Sequence, residues 1–241
     1  MKAENITALA ENGNNNHGFW SVDNATLVLC GAFLTGRGGT NAYGIYSGGS
    51  GTTLEAVSVL ALGEDGSDNN YGLYNYESAT ATLRGGSFTG RGGQSSQGIS
   101  NSDSGTTLEA ENVTALAENG SNANYGLLNG PDNAAATLRG GSFTGRGGED
   151  TYGIQNNGTL ETENVTALGE DGSSENFGLY NLSGTATADS SQFTGSSNGL
   201  YLDGGTVYLG VSQLDGGATN SSGALTCFQV YDGSYSAYTC P

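Results

Sequence analysis

Basic residues are nearly missing from this chain. Its 241 residues hold 24 Asp and Glu against 6 Lys and Arg, a formal net charge of -18. Phosphate backbones are gripped by clustered Lys and Arg, so nucleic acid is excluded as an expected partner. An anionic membrane surface is excluded for the same reason. No apolar run approaches the roughly 18–20 residues of a membrane span, and the chain is expected to be soluble, with no membrane insertion. Proline occurs twice, and no segment keeps a 3.6-residue apolar period, so helix is not expected. Acid–base chemistry has little to draw on: one lysine, Lys2, and one histidine, His17.

Cysteine is scarce as well. Without any Cys-x-x-Cys, neither a metal site nor a cofactor is expected. Cys227 and Cys240 enclose residues 228–239, where a rod would need closing, and are expected to pair. A disulfide around so short a loop contributes about 3 kcal/mol in the chain-entropy account, and it implies an oxidising compartment. Cys30 is left as a free thiol without a role. Met1-Lys2 leads directly into Ala3-Glu4-Asn5-Ile6-Thr7-Ala8-Leu9, a word that returns as Ala110-Glu111-Asn112-Val113-Thr114-Ala115-Leu116. The expectation is a chain that starts part-way through a coil and carries no export signal of its own. Its open first coil then continues a longer protein or docks on another subunit.

What is abundant is glycine, 43 residues, and it falls at fixed phase. A Gly followed by an apolar residue recurs as Gly18-Phe19, Gly44-Ile45, Gly72-Leu73, Gly98-Ile99, Gly126-Leu127, Gly153-Ile154, Gly178-Leu179 and Gly199-Leu200. Successive glycines stand 26, 28, 26, 28, 27, 25 and 21 residues apart. Disordered chains do not hold such a phase, whereas a solenoid whose units stack on one another must. Short runs of Thr, Val, Leu and Phe between Gly, Asn and Asp read as strands and turns. The fold expected is all-β, a single-stranded right-handed parallel β-helix of about eight coils of roughly 27 residues. Residues 1–204 form the rod in two alternating coil types, and residues 205–241 the final coil and disulfide-closed cap.

Stacked coils put equivalent residues in columns about 4.8 Å apart. The residue after each glycine gives one inward column, Phe19 to Leu200. A second is expected from Ile6, Phe33 (or Leu34), Val59, Phe88, Val113, Phe143, Val165 and Phe193. Asn75, Asn101, Asn129, Asn156 and Asn181 recur at one turn position and suggest a stacked amide ladder, preceded by Ser21 and Ser47. Aligned on the Thr-Leu words, Glu55, Arg84, Glu109, Arg139 and Glu161 form an outward column of alternating charge. Arg37, Arg91 and Arg146 take another position, with Leu62 and Leu116 between them and Glu11, Glu64, Glu118 and Glu170 nearby as partners.

Coil length, inward columns and the asparagine ladder together resemble the right-handed parallel β-helix proteins of the pectin-lyase-like superfamily, found among secreted and surface proteins of bacteria. The resemblance covers nearly the whole chain. It implies a secreted or cell-surface location, and the tail from Leu225 to Pro241 looks like the disulfide-closed end of such proteins.

Three surface features bear on function. Trp20, Tyr46, Tyr74, Tyr180 and Tyr201, interrupted by Ser100, Leu128 and Gln155, form an aromatic column with outward parity that can stack sugar rings; the plainer account is that Tyr suits strand surfaces. Thr7, Thr35, Thr89, Thr114, Thr144, Thr166 and Thr194, broken by Leu60, form a threonine column of the kind that orders water, which brings in ice binding. The loops at Glu64-Asp65 and Glu170-Asp171 place carboxylates near glycines as calcium prefers, yet they lack a nonapeptide calcium signature and read as solvated acidic loops. Asn-x-Ser/Thr sequons stand at Asn5, Asn24, Asn112, Asn157, Asn164, Asn181 and Asn220. An active site should break the repeat with a cluster of Asp, Arg and His, and no coil carries one, so no catalytic residue is expected. The expected function is that of a non-enzymatic rod: a stalk, an adhesin module or a subunit of an extracellular assembly. Its partners are then further copies of itself, through the open first coil, or glycans. The alternative is a carbohydrate-binding or polysaccharide-degrading module.

Overall fold

The structure, a computed structural model describing residues 1–131 and 133–241, is an all-β parallel solenoid of about seven turns of about 26 residues. Among the described residues there is no helix, and hence none long and apolar enough to cross a membrane. Two parallel sheets wind along its length. The first has 16 strands and the second, built around the repeated glycines, has nine. Parallel pairing runs on through Ala224–Phe228, which lies against Thr206–Gly210.

Each turn bends within the first sheet at one left-handed residue. That column runs Asn5, Gly31, Ser58, Gly85, Asn112, Gly140, Asn164 and Ser190, with φ between 51° and 64°. Through Ser190 the corner takes only Gly, Asn and Ser, because a positive φ is cheap for Gly and tolerable for short polar side chains; in the last two coils Val211 (φ 47°) and Gln229 (φ 52°) occupy it. The glycines of the Gly-apolar signature answer a different need. A Cβ placed on Gly44 would lie 2.5 Å from the Leu62 nitrogen and 2.6 Å from the Gly72 oxygen, so the second sheet could not close onto the first with any side chain there.

The inward column beside those glycines is as expected. Phe19, Ile45, Leu73, Ile99, Leu127, Ile154, Leu179 and Leu200 pair in register, and all but Phe19 are fully buried. The second expected column is not. Phe88 stacks between Ala61 and Ala115, and Phe143 between Ala115 and Ala167, while Val59 faces Gly86 and Val113 faces Gly141. Valine and phenylalanine therefore belong to two columns, two residues apart.

The reason is volume. Leu54, Ala81, Leu108, Ala136 and Leu160 alternate in one interior column, and Ala56, Leu83, Ala110 and Leu138 alternate out of phase in the next. Leu83, Leu108 and Leu160 each rest on an alanine above and below, which keeps a narrow interior filled at the density proteins require, while Leu54 meets Leu27 on one side and Ala81 on the other. The two coil types are thus complementary fillings of one cross-section. Sliding one against the other by a single coil sets Phe on Phe and opens a void beside Ala.

The asparagine ladder is continuous. Asn75 Nδ2 donates to Asn101 Oδ1 at 2.8 Å, Asn101 to Asn129 at 2.9 Å, Asn129 to Asn156 at 2.8 Å and Asn156 to Asn181 at 2.7 Å. All five are fully buried. Nδ2 of Asn75, Asn101, Asn129 and Asn156 also donates to the backbone carbonyl of Thr107, Ala135, Thr159 and Thr185 in turn. Above the ladder Ser47 continues the column, and there both Ser47 Oγ and Asn75 Oδ1 are buried without a partner.

A second amide series escaped the sequence reading. Asn16, Asn70, Asn124 and Asn176, on alternate turns, each accept a hydrogen bond from the N–H of the loop glycine before them (Gly13, Gly66, Gly120 and Gly172) and donate back to its carbonyl. These closures hold the acidic loops in shape. The sequence signal for them is a Gly three or four residues before the Asn, which is hard to tell from ordinary loop composition in so Gly- and Asn-rich a chain. At the far end Cys227 and Cys240 are bonded, and Cys30 is free.

Two stability measurements test this packing. Phe143→Ala, cutting into a column already flanked by Ala115 and Ala167, should lower the urea unfolding free energy by about 3–5 kcal/mol. Ser47→Asn should lengthen the ladder by one member, satisfy Asn75 Oδ1 and raise stability by about 1 kcal/mol; an unchanged or lower melting temperature would show that the serine column is not a shortened ladder.

Candidate functional site

In the second sheet, the residue just before each signature glycine and the residue two after it lie on the side away from the inward column. Two aromatic columns result. The expected one is in register as Trp20, Tyr46, Tyr74, Ser100, Leu128, Gln155, Tyr180 and Tyr201. The other, unrecognised in the sequence although its members precede the glycines, runs His17, Tyr43, Tyr71, Gln97, Tyr125, Tyr152 and Phe177.

The rings pack on each other more than they face water. His17 stacks on Tyr43 with centroids 4.7 Å apart, and Tyr43 on Tyr71 at 4.9 Å and 6°. Tyr71 lies 4.8 Å from Tyr74, and Tyr74 lies 5.2 Å from Tyr76. Trp20 caps this group, stacked on His17 at 5.7 Å, and is 63% exposed. A second group of Tyr125, Tyr152, Phe177, Tyr180 and Tyr201 lies beyond Gln97 and Ser100. Tyr152 and Phe177 are buried outright. The single open aromatic face expected from the sequence is therefore two stacked clusters, with ring faces occupied by neighbouring rings. Trp20 keeps the most open ring.

Burial sets the ionisation of these groups. His17 is held below the ordinary imidazole value, so it is a neutral ring at pH 7. Tyr180 is pushed up to about 12 by burial and then by the Asp203 carboxylate. Tyr71, Tyr74 and Tyr152 are raised further, chiefly by burial. These phenols remain protonated across the physiological range and supply no base.

The charge columns differ from expectation. Glu55 and Glu109 lie in register with Thr82, and Glu109 and Glu161 with Thr137, not with Arg84 and Arg139. Arg84 instead stands between Val57 and Glu111, and Arg139 between Glu111 and Glu163. Alignment on the Thr-Leu words fails because Leu83 stacks on Ala56 and Ala110, which slides the arginine coil by two residues. The pairs it leaves are loose: Arg84 Nε to Glu111 Oε2 is 4.0 Å and Arg139 Nε to Glu163 Oε2 is 3.7 Å, all well exposed.

The tight ladder is at the other arginines. Glu11, Arg37, Glu64, Arg91, Glu118, Arg146 and Glu170 form one column of alternating sign. Leu62 and Leu116 belong to the neighbouring column, opposite Thr35, Thr89 and Thr144. Arg37 Nε donates to Glu64 Oε1 at 2.8 Å, Arg91 Nε to Glu118 Oε1 at 2.8 Å, and Arg146 Nη2 to Glu118 Oε2. Arg91 Nη1 also approaches Glu64 Oε2 at 3.6 Å. Glu64 and Glu118 are buried carboxylates between two guanidinium groups. Burial alone would raise the Glu118 carboxyl; hydrogen bonds from Arg146 and Arg91, with their charges, hold it below its ordinary value.

The threonine column also divides. Thr35, Thr89, Thr144 and Thr194 alternate with Leu62, Leu116 and Leu168, while Thr7, Thr114 and Thr166 lie in the next column with Phe33, Leu60, Ser87 and Ser142. No flat rank of the expected threonines forms. Among the described residues, no three His, Cys, Asp or Glu side chains gather as metal ligands would. Compared with known proteins, the chain matches no family model, no curated protein sequence and no solved structure.

Glu118 provides a pH test. Its folded value lies below the unfolded one, so its contribution is complete above about pH 4.5 and is lost as pH falls through the folded value. Glu118→Gln should cost about 1–3 kcal/mol at pH 7, between exposed and buried pairs. It should also flatten the acid limb of stability measured by urea unfolding between pH 7 and 3. A parallel offset at every pH would mean that the carboxylate charge is not what holds the two arginines.

Proposed function

We propose that this chain is a non-enzymatic rod of the right-handed, pectin-lyase-like kind, part of a secreted or cell-surface bacterial protein, where it serves as a stalk, an adhesin module or a subunit of an extracellular assembly. One observation carries the reading. The repeating polar and aromatic side chains are spent on their own columns: amide on amide, guanidinium on carboxylate, ring on ring. Such ladders transmit load and register from turn to turn and leave the lateral surface acidic and largely self-satisfied. The disulfide at the C-terminal end supports an oxidising location. Contacts to other copies through coil ends or to glycans remain the partners of this reading.

A second reading rests on Trp20. Its 63% exposed indole, backed by His17 and Tyr43, presents one open face of the kind that stacks on a sugar ring. Screening a broad polysaccharide and oligosaccharide panel decides between the two. The rod reading expects neither turnover nor saturable binding, and equal behaviour of the wild type and Trp20→Ala. Saturable binding lost in Trp20→Ala, with an unchanged melting temperature, would replace it with carbohydrate binding.

A further inference from the structure

The structure sorts the sequons, eight when Asn119-Gly120-Ser121 is included, in a way the sequence does not. Asn181 is a fully buried member of the amide ladder, and Asn220 is tied into its turn by bonds to and from Gly223. Asn157 Oδ1 accepts from Gln155. By contrast Asn5, Asn112 and Asn164 stand together at the left-handed corner, exposed, with Thr7, Thr114 and Thr166 exposed two residues on.

Conformation alone accounts for asparagine at that corner, since the position needs a positive φ. It does not account for the threonine. Across the same two columns, corner residues other than asparagine are followed two places later by Phe33, Leu60, Ser87, Ser142 and Gln192, never by threonine. The turn with Ser58 shows it best. It is built from the same coil type as the Asn112 turn, yet it carries Ser58 for asparagine and Leu60 for threonine, so both sequon members are replaced at once. Between Asn112 and Asn164 the corner holds Gly140, leaving room beside each amide; two strand spacings put them about 10 Å apart.

We propose that Asn5, Asn112 and Asn164 are acceptors for N-linked glycan, a row of modified residues along one edge of the rod. The inference rests on the secreted or surface reading, because the donor is met only on the export route. In the transfer, Asn Nδ2 forms a bond to the anomeric carbon of an N-acetylhexosamine on a lipid-pyrophosphate-linked oligosaccharide. The carbon–oxygen bond to the pyrophosphate breaks, the lipid pyrophosphate leaves with the electron pair, and the amide gives up one proton. Asn24 and Asn119, exposed in other turns and followed by exposed Thr26 and Ser121, meet the accessibility condition without the column argument.

The test expresses the full chain behind an added signal peptide in a eukaryotic secretory host, followed by peptide-N-glycosidase release in 18O water and peptide mapping. Labelled aspartate is expected at 112 and 164 and not at 181. Asn112→Gly, which keeps the left-handed corner as Gly85 and Gly140 do, should lose the label at 112 with an unchanged melting temperature; Thr114→Ala should lose it equally. Secreted, folded protein unlabelled at both 112 and 164 would overturn the proposal. Because export is imposed by the added signal, that result leaves the location of the natural protein untouched, and retention of the untagged chain in its own cell would count against the surface reading alone.

Discussion

Stacking at one strand spacing governs everything else in this molecule. Parallel strands about 4.8 Å apart bring each side chain directly over its equivalent in the next turn, so every position must be compatible with itself repeated. Amides and rings meet that condition by bonding to their own kind, as at Asn129 and Tyr43. Buried carboxylates such as Glu118 cannot, because like charges would face each other out of water; exposed Glu163 and Asp189 do stand opposite. Phenylalanines of the first sheet cannot either, because there the winding leaves no room for Phe on Phe, although Ile45, Leu73 and Ile99 do stack on one another in the second sheet. Both are resolved by alternation, Glu118 between Arg91 and Arg146 and Phe143 between Ala115 and Ala167.

The doubling of the coil follows from that constraint. A single coil type cannot carry both a buried phenylalanine and a buried glutamate at every turn, whereas two complementary types fill the same cross-section and neutralise the same corner. The alternation of volume inside and of charge at the loop shoulder are in phase through the middle coils: Leu34, Phe88 and Phe143 share coils with Arg37, Arg91 and Arg146, and Ala61, Ala115 and Ala167 with Glu64, Glu118 and Glu170. Interior packing has the larger magnitude, since core cavities cost several kcal/mol and half-exposed ion pairs about one. Register is accordingly set inside, and the charges conform to it.

The same constraint shapes the surface. Side chains that look like a binding surface when written in a line, such as the tyrosines of the second sheet, satisfy one another once wound. What stays unsatisfied stands out: the open indole of Trp20, and the exposed corner asparagines with their threonines. Acidic loops that invite a cation in the sequence are shaped from within by Asn70 and Asn124.

Much of this was legible in the chain. A glycine every 25 to 28 residues through Gly178 followed by an aliphatic or aromatic side chain was enough to specify a parallel solenoid, because only a residue without a Cβ fits where the two sheets meet, and the inward column and amide ladder follow from that phase. The neighbours of Arg84, the partition of valine from phenylalanine, the splitting of the threonines and the burial of the tyrosine faces were decided by tertiary structure. Words that look alike, Thr-Leu-Glu and Thr-Leu-Arg, invite alignment on shared letters, but turns align on shared volume. Leucine seeks alanine across the core, and that two-residue slide is visible only once the interior is filled.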